Sequence, residues 1–530
     1  MGQPARRTVL RGTAAAGALA AAPASALLWA RPAVAGTQGP EQIHLQFGND
    51  PAREMTVSWA TGASVARPRL RLGTARGGFG RTVAAETRTY VDGLNKVETY
   101  THHAALRGLD PDTTYVYEVT HDGAVPVRGT FRTAPGRGRA AFRFTGFGDL
   151  GAGSGAWAKS SVNGAVAVRN VERFDPLFHL LNGDLAYANN NQQLQPQCWD
   201  AFMNNMAVSA ANRPWMAAPG NHEVEAGGGE LGYASWHARF AFPDNGTRDY
   251  CGNWYSFQVG SVLFLALDGN DIAIEDDASV DPVTGQSVYI CGYSQGAQVR
   301  WLERTLAAAR AGREVDWIVV SMHQFAMSSS ASSHGGDINI REQLLPVFDR
   351  YGVDLVLCGH DHDYERTHPV RGTDPDSLLR PAVVDDRLDR IDTSEGTVHL
   401  ILGGGGTASH DDVFLGDSAG DGVPDATVRT KRLPFKADPD ATEKATWSAV
   451  RDPDTAYPYG VAVFDVDPGH LPGGRTTITV SYYHTPASTA VDPSPAPVLY
   501  DRFTVHRNRR DGHGGHDGNG DGDGSSRGRD

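Results

Sequence analysis

Between Gln42 and Thr133, short runs of alternating apolar and polar residues recur with turn signals between them. Met55-Thr56-Val57-Ser58-Trp59 and Thr114-Tyr115-Val116-Tyr117-Glu118-Val119 are examples. Period-two alternation turns one side of each run toward a core and the other toward water, so this region predicts a small all-β sandwich. Thr133-Ala134-Pro135-Gly136-Arg137-Gly138-Arg139 breaks the pattern and reads as a linker. Beyond it come four further strand-like runs: Phe142 to Phe147, Leu177 to Asn182, Trp317 to Ser321 and Leu355 to Cys358. They alternate with helical-period stretches such as Gln298 to Leu306 and Arg341 to Leu345, the latter running towards Phe348. This alternation of strands with helices predicts a layered α/β domain. Thr397 to Leu402, Val461 to Val466 and Thr477 to Tyr482 supply further strands, giving two sheets flanked by helices.

Two stretches interrupt this rhythm and read as loops that could flank a site, Asn270 to Gly296 and the Asp- and Gly-rich Ala408 to Thr455. The last residues, from about 506 to 530, are mostly Gly, Asp, Arg and His without a core-forming run, and predict a disordered tail. Within them Asp517 to Gly522 resembles the start of a calcium loop but lacks the later Glu. At the other end, Arg6-Arg7-Thr8-Val9-Leu10-Arg11 precedes an Ala-rich apolar stretch and Ala33-Val34-Ala35. Residues 1–35 therefore read as a twin-arginine signal peptide, with secretion to the extracellular side as the expected localisation. No other segment is long and apolar enough to span a membrane.

Composition narrows the picture further. At 530 residues, 40% apolar and 21% charged, the chain is large enough for two folded domains. The formal charge is −14, and the first 35 residues carry four arginines and no acid, which argues against a nucleic-acid surface on the whole chain. The four cysteines include no CxxC pair. Cys251 with Cys291 is the first choice for a disulfide, and Cys358 reads as a buried strand residue.

The chemistry is carried by five short segments just after apolar runs: Gly148-Asp149-Leu150-Gly151, Gly183-Asp184-Leu185-Ala186-Tyr187, Gly220-Asn221-His222-Glu223, Val320-Ser321-Met322-His323 and Gly359-His360-Asp361-His362. Ligands at the carboxyl ends of strands sit where open α/β sheets build their sites. Together the segments offer carboxylate, phenol, amide and imidazole donors sufficient for two metal ions.

These segments resemble the five-motif signature of the metallophosphoesterases, in the variant of the purple acid phosphatases. Asp149-Leu150-Gly151 replaces the general Asp-x-His, and Tyr187 follows Asp184 by three residues. Leu109-Asp110-Pro111-Asp112-Thr113-Thr114-Tyr115 is similar to the turn and corner tyrosine of fibronectin type III domains. The resemblance implies an N-terminal fibronectin III-like domain over 36–135, then a metallophosphoesterase two-sheet sandwich over 140–505. It implies that Asp149, Tyr187 and His362 hold a ferric ion, that Asn221, His323 and His360 hold a divalent ion (zinc, iron or manganese), and that Asp184 bridges them. His222 and His334 are the implied catalytic groups, donating to the leaving oxygen or to phosphate. The implied activity is that of an acid phosphatase, a secreted phosphoric monoester hydrolase in which the metal pair generates hydroxide for attack on phosphorus, with an acidic pH optimum. Its partner would be a small phosphate ester, with neither nucleic acid nor membrane, and the oligomeric state stays open.

Two other readings stand beside this one. A phosphodiesterase or nucleotide hydrolase would use the same site with two divalent ions, and a surface-binding protein would use its β-domain on a polymer with the enzyme domain secondary. Gln324-Phe325-Ala326 departs from the Pro- and Tyr-containing sequence expected after His323, which leaves substrate contacts there open. The loops 189–197 and 270–296 carry no assignable role, and Met327 to Ser333 reads as a flexible loop. His44, His102, His103, His399 and His484 read as structural or exposed, Trp199 and Trp215 as core, and Glu365 and Arg366 as a supporting network.

Overall fold

The computed structural model describes residues 39–510, apart from 75, 152–162, 275–278, 281–286, 289, 331–333, 375–377, 408–415, 430–440, 453–458, 487–488 and 490. The expected signal segment and the Asp517 to Gly522 loop lie outside the described residues.

Eight strands form the N-terminal domain. Glu41–Phe47, Met55–Thr61, Glu98–Leu106 and Glu86–Val91 make one antiparallel sheet, and Gly78–Ala84, Arg69–Thr74, Thr114–Thr120 and Val127–Arg132 make the other. Alternation along them buries Val57, Trp59, Leu70, Leu72, Tyr117 and Val119 between the sheets. The corner tyrosine is in place, since the Tyr115 hydroxyl accepts from the Asp110 amide at 2.9 Å.

The second domain has two seven-stranded sheets. The first runs Trp215–Ala218, Phe178–Asn182, Phe142–Phe147, Gly460–Asp467, Arg475–His484, Val498–Asn508, Arg390–Asp392. The second runs Tyr255–Val259, Val262–Ala266, Trp317–Ser321, Leu355–Cys358, Val398–Leu402, Tyr364–Thr367, Ser448–Arg451. Aromatic rings fill the space between them, with Phe144 stacked on Phe464 at 4.4 Å and edge-on to Phe264 at 5.1 Å. The outer faces are covered by helices, among them Asn163–Arg173, Gln195–Ala210 and Ala297–Ala311. The expected helix from Arg341 to Phe348 is two, Ile338–Gln343 and Leu345–Tyr351, divided at Leu344 just ahead of Pro346.

The β-domain packs directly on this body. Phe47 lies 5.7 Å from Phe178 and 5.8 Å from Phe257. His44 and His103 bond the carbonyls of Arg239 and Ala238 at 2.9 and 3.1 Å, so both are structural, as expected.

Three expectations need correction. The stretch 408–455 is not simply loop. Asp425–Arg429 and Ala441–Lys444 pair beside Gly336–Asp337, and Ser448–Arg451 edges the second sheet. Buried Ala426, Val428 and Trp447 anchor these strands in a composition otherwise suited to loops. Cys251 and Cys291 are not joined in a disulfide but lie on separate loops, each against backbone carbonyls: Cys251 on Arg248 at 3.2 Å and Cys291 on Ile272 at 3.5 Å. Ser328, Ser329 and Ser330 are fully buried rather than part of a loose loop: Asp361 accepts from the Ser328 hydroxyl, Glu365 from the Ser329 amide and hydroxyl, and Ser328 Oγ from the Ser330 amide.

Candidate metal centre

Strands Phe142–Phe147, Phe178–Asn182 and Trp215–Ala218 lie side by side and parallel, and Trp317–Ser321 and Leu355–Cys358 do the same in the other sheet. All five candidate segments leave the carboxyl ends of these strands, so the sandwich brings segments over two hundred residues apart to one place. The turns there are tight. Asp149, Asp184, Tyr187 and His360 all adopt left-handed backbone, with φ of 60, 53, 53 and 77°. Non-glycine residues seldom accept this conformation, and it persists where surrounding contacts enforce it, characteristically at functional sites.

Glycines ahead of the ligands make room for them. A Cβ on Gly220 would lie 2.3 Å from Asp184 Oδ1, and one on Gly183, itself at φ 83°, would lie 2.5 Å from His323 Nδ1. The buried carboxylate of Glu223 ties these loops together, accepting from the amides of Asp184, Leu185 and Gly220 at 2.9, 2.8 and 2.7 Å.

Two ligand clusters result. Asp149 Oδ1, Tyr187 Oη and His362 Nε2 form a triangle with sides of 3.0, 3.0 and 3.3 Å. Next to it, His323 Nε2 lies 3.2 Å from Asp184 Oδ1, 3.0 Å from Asn221 Oδ1 and 3.1 Å from His360 Nδ1. All seven residues expected as ligands are thus grouped in the same site.

The donor set fits metal ions. His323 Nδ1 donates to the Asn182 carbonyl at 2.8 Å, which turns the Nε2 lone pair into the cluster. Buried carboxylates create a potential that calls for a cation. Burial would lower the His323 pKa, but Asp184 and Asp149 override it and push it up to about 10. Asp184 is likewise held below its usual range, because His323 and His222 outweigh its burial. Glu223 is pushed up to about 8 by burial and by the Asp184 charge, against its three amide donors. Burial and the Asp149 and Asp184 charges keep the Tyr187 phenol protonated well above its ordinary pKa, so only a bound cation would make it a phenolate.

His222 lies at the edge of the clusters. Its ring packs against Tyr187 at 4.2 Å with the planes tilted by 38°, its amide donates to Asp184 Oδ1, and its Nε2 is 3.7 Å from Asp184 Oδ2. Asn189 holds it, with Oδ1 2.6 Å from His222 Nδ1 and Nδ2 donating to the carbonyls of Asn221 and Val224 at 3.3 and 3.2 Å. Sequence reasoning left Asn189 unassigned. Its one signal is a position two residues beyond Tyr187. His334 stacks on His360 at 3.7 Å, with Nδ1 3.4 Å from Asp361 Oδ1.

Gln324 is buried behind the site and donates to Asn270 Oδ1 at 2.6 Å, while Asn270 Nδ2 donates to the Gly220 carbonyl at 2.9 Å. The departure after His323 is therefore a brace between two ligand loops, and the start of the 270–296 stretch is its other half. Glu365 accepts from Ser329 and Ser448, and Arg366 bonds Asp501, in keeping with a supporting network.

The chain matches two family profiles in order, the purple acid phosphatase N-terminal domain over residues 40–133 and the calcineurin-like phosphoesterases over 142–364. An uncharacterized protein of Mycobacterium tuberculosis is 42% identical over 93% of this chain and 92% of its own length. Purple acid phosphatase 18 of Arabidopsis thaliana is 27% identical over 69% of this chain and 71% of its own. Acid phosphatase type 7 of mouse is 28% identical over 69% and 78%. In fold, the chain is similar to the purple acid phosphatase from yellow lupin seeds, with a TM-score of 0.62 and 20% identity over 89% of this chain and 75% of that one. The chain therefore belongs to the purple acid phosphatase family of metallophosphoesterases, whose sites are dinuclear, and joins that family's N-terminal β-domain to its catalytic domain.

Proposed function

We propose that this protein is an exported acid phosphatase that hydrolyses phosphate monoesters at a mixed-valence metal pair. The observation that carries the reading is the division of the ligands into two adjoining clusters of different hardness. Asp149 and the Tyr187 phenol, with His362, suit Fe(III), whereas His323, His360 and Asn221 suit zinc, Fe(II) or Mn(II), with Asp184 between them. Two such ions would supply Lewis acidity toward the phosphoryl oxygens and the oxygen nucleophile for in-line attack. With Asp149, Asp184 and a Tyr187 phenolate, the pocket would carry a net charge of about +2, which favours a monoester dianion in an otherwise acidic protein.

The protein's own groups do the rest. His222, held at Nδ1 by Asn189, presents Nε2 toward the site and gives a proton to the departing alkoxide. His334, stacked on His360, flanks the same cluster and contacts the phosphate. Export follows from Arg6-Arg7 and the small-residue end at Ala33-Val34-Ala35, and a route for folded proteins suits a chain that loads metal first.

Parallel turnover of monoester and diester analogues tests the reading. Monoesters should be preferred, with a rate maximum below neutral pH, and Asp184→Asn should lower kcat more than about a hundredfold. A preference for diesters, a rate still rising above pH 7, or near-normal turnover in Asp184→Asn would overturn it.

A further inference from the structure

Charge is divided unevenly along this chain. Residues 40–133 carry eleven Arg and Lys against ten Asp and Glu, a net +1, whereas residues 134–530 carry thirty-three against fifty-two, a net −19. The basic side chains of the β-domain are also gathered on one face. In the sheet Gly78–Ala84, Arg69–Thr74, Thr114–Thr120, Val127–Arg132, Arg69 sits opposite Thr120, Arg71 and Arg128 both sit opposite Glu118, and Arg132 sits opposite Thr114. Directly opposed residues share a face, so these arginines stand together on the side away from buried Leu70, Leu72, Tyr117 and Val119. From Thr114 to Thr120 the stripe runs about 20 Å.

Carboxylates lie under or beside this stripe and do not cap it. Glu118 accepts from Arg71 at 2.6 Å and from Arg128 at 3.2 Å, yet its side chain is only 3% exposed while that of Arg128 is 74% exposed. Arg67 and Arg69 share Asp122, and Arg132 pairs with Asp112. At the Arg132 end the stripe opens into a cleft of about 580 Å³ between the two domains, lined by Arg132, Arg139, Arg143 and Arg213 together with Asp112 and Asp175, with Arg143 paired to Asp465 and Arg213 to Glu172. At the other end Arg67, Arg69 and Arg71 line a second, more open hollow of about 480 Å³.

We propose that this arginine face of the β-domain docks a linear polyphosphate chain. The planar guanidinium donor set matches phosphate oxygens, and the net negative charge of the rest of the chain favours this face for a polyanion. Among the described residues the face offers no open aromatic platform for stacking bases. Phe79 lies under the guanidinium groups of Arg71 and Arg128, at 5.0 and 5.4 Å, so its ring is not open to a base, which disfavours single-stranded nucleic acid. The choice of phosphate over carboxylate polymers rests on the phosphatase reading, while the existence of the docking face does not.

The test is retention of the full-length protein on immobilised inorganic polyphosphate, with hydrolysis of a small monoester measured on the same samples. Arg67→Gln/Arg69→Gln/Arg132→Gln is the informative variant, because its carboxylate partners are solvent-accessible. Removing Arg71 or Arg128 would instead strand buried Glu118. The variant should bind polyphosphate about tenfold or more weakly, with a shallower salt dependence and unchanged monoester turnover. Polyphosphate binding equal to that of the wild type would overturn the proposal, as would equal retention on polyaspartate or on a DNA strand. Loss of turnover in the wild type with binding intact would count against the phosphatase reading alone.

Discussion

At the residue scale, the site is built from ligands forced into left-handed turns and from small residues that let them meet. Gly220→Ala would put a methyl group 2.3 Å from Asp184 Oδ1, so we expect a loss of about 1–3 kcal/mol and of metal at the His323 cluster. Thermal melts and metal analysis check this, and wild-type metal content would refute it. Asn189→Ala removes the acceptor that holds His222 Nδ1. It should slow alkyl phosphate hydrolysis about 10–100-fold while sparing p-nitrophenyl phosphate, whose leaving group needs little protonation. Equal slowing of both esters would contradict the role given to His222. The ligands themselves were legible in the sequence because each ligand segment follows an apolar run, with a glycine directly ahead of Asp149, Asp184, Asn221 and His360. Asn189 and Asn270 were not, since an Asn in a polar loop looks the same whether it braces a ligand or faces solvent.

At the element scale, strand-like runs alternating with helical stretches identified the parallel strands, and their ends gave the location of the site. The region 408–455 was illegible because its strands are short and embedded in Asp, Gly and Pro. Their burial comes from partners distant in sequence, such as Gly336–Asp337. These strands hold the His334 side of the site: Arg429 Nε donates to the His334 carbonyl at 2.5 Å, and Glu443 pairs with fully buried Arg341, with one of its contacts at 3.1 Å. Glu443→Ala would leave Arg341 buried without a counter-charge, at a cost of about 3–5 kcal/mol. The urea midpoint measures it, and a change within about 0.5 kcal/mol would contradict the structural role of this small sheet.

At the scale of the whole molecule, buried ionisable groups set how the metal-free protein responds to pH. His323 is raised above its unfolded pKa, so its contribution is complete below about pH 6.5 and is lost as pH climbs through about 10. Glu223, raised to about 8, acts in the same direction up to that pH. The buried histidines oppose them on the acid side. Burial lowers His102 to about 4 and His103 and His399 to about 3, so their contributions are lost as pH falls below about 6.5. The metal-free protein should therefore be most stable near pH 6.5, and denaturation midpoints that climb steadily from pH 6.5 to 9 would refute this. Metal must displace the His323 proton, so affinity at that cluster should fall about tenfold for each pH unit of acidification between 9 and 7.

The division of the ligands into a phenol-bearing and an imidazole-bearing cluster is tested most directly by the visible spectrum of the iron-loaded, oxidised protein beside its Tyr187→Phe variant. A broad charge-transfer band present in the first and absent from the second is the predicted result, with Tyr187 Oη bound to Fe(III) beside Asp149 and His362. Phosphatase activity with two bound metals and no such band would contradict it and leave a phosphoesterase of two divalent ions.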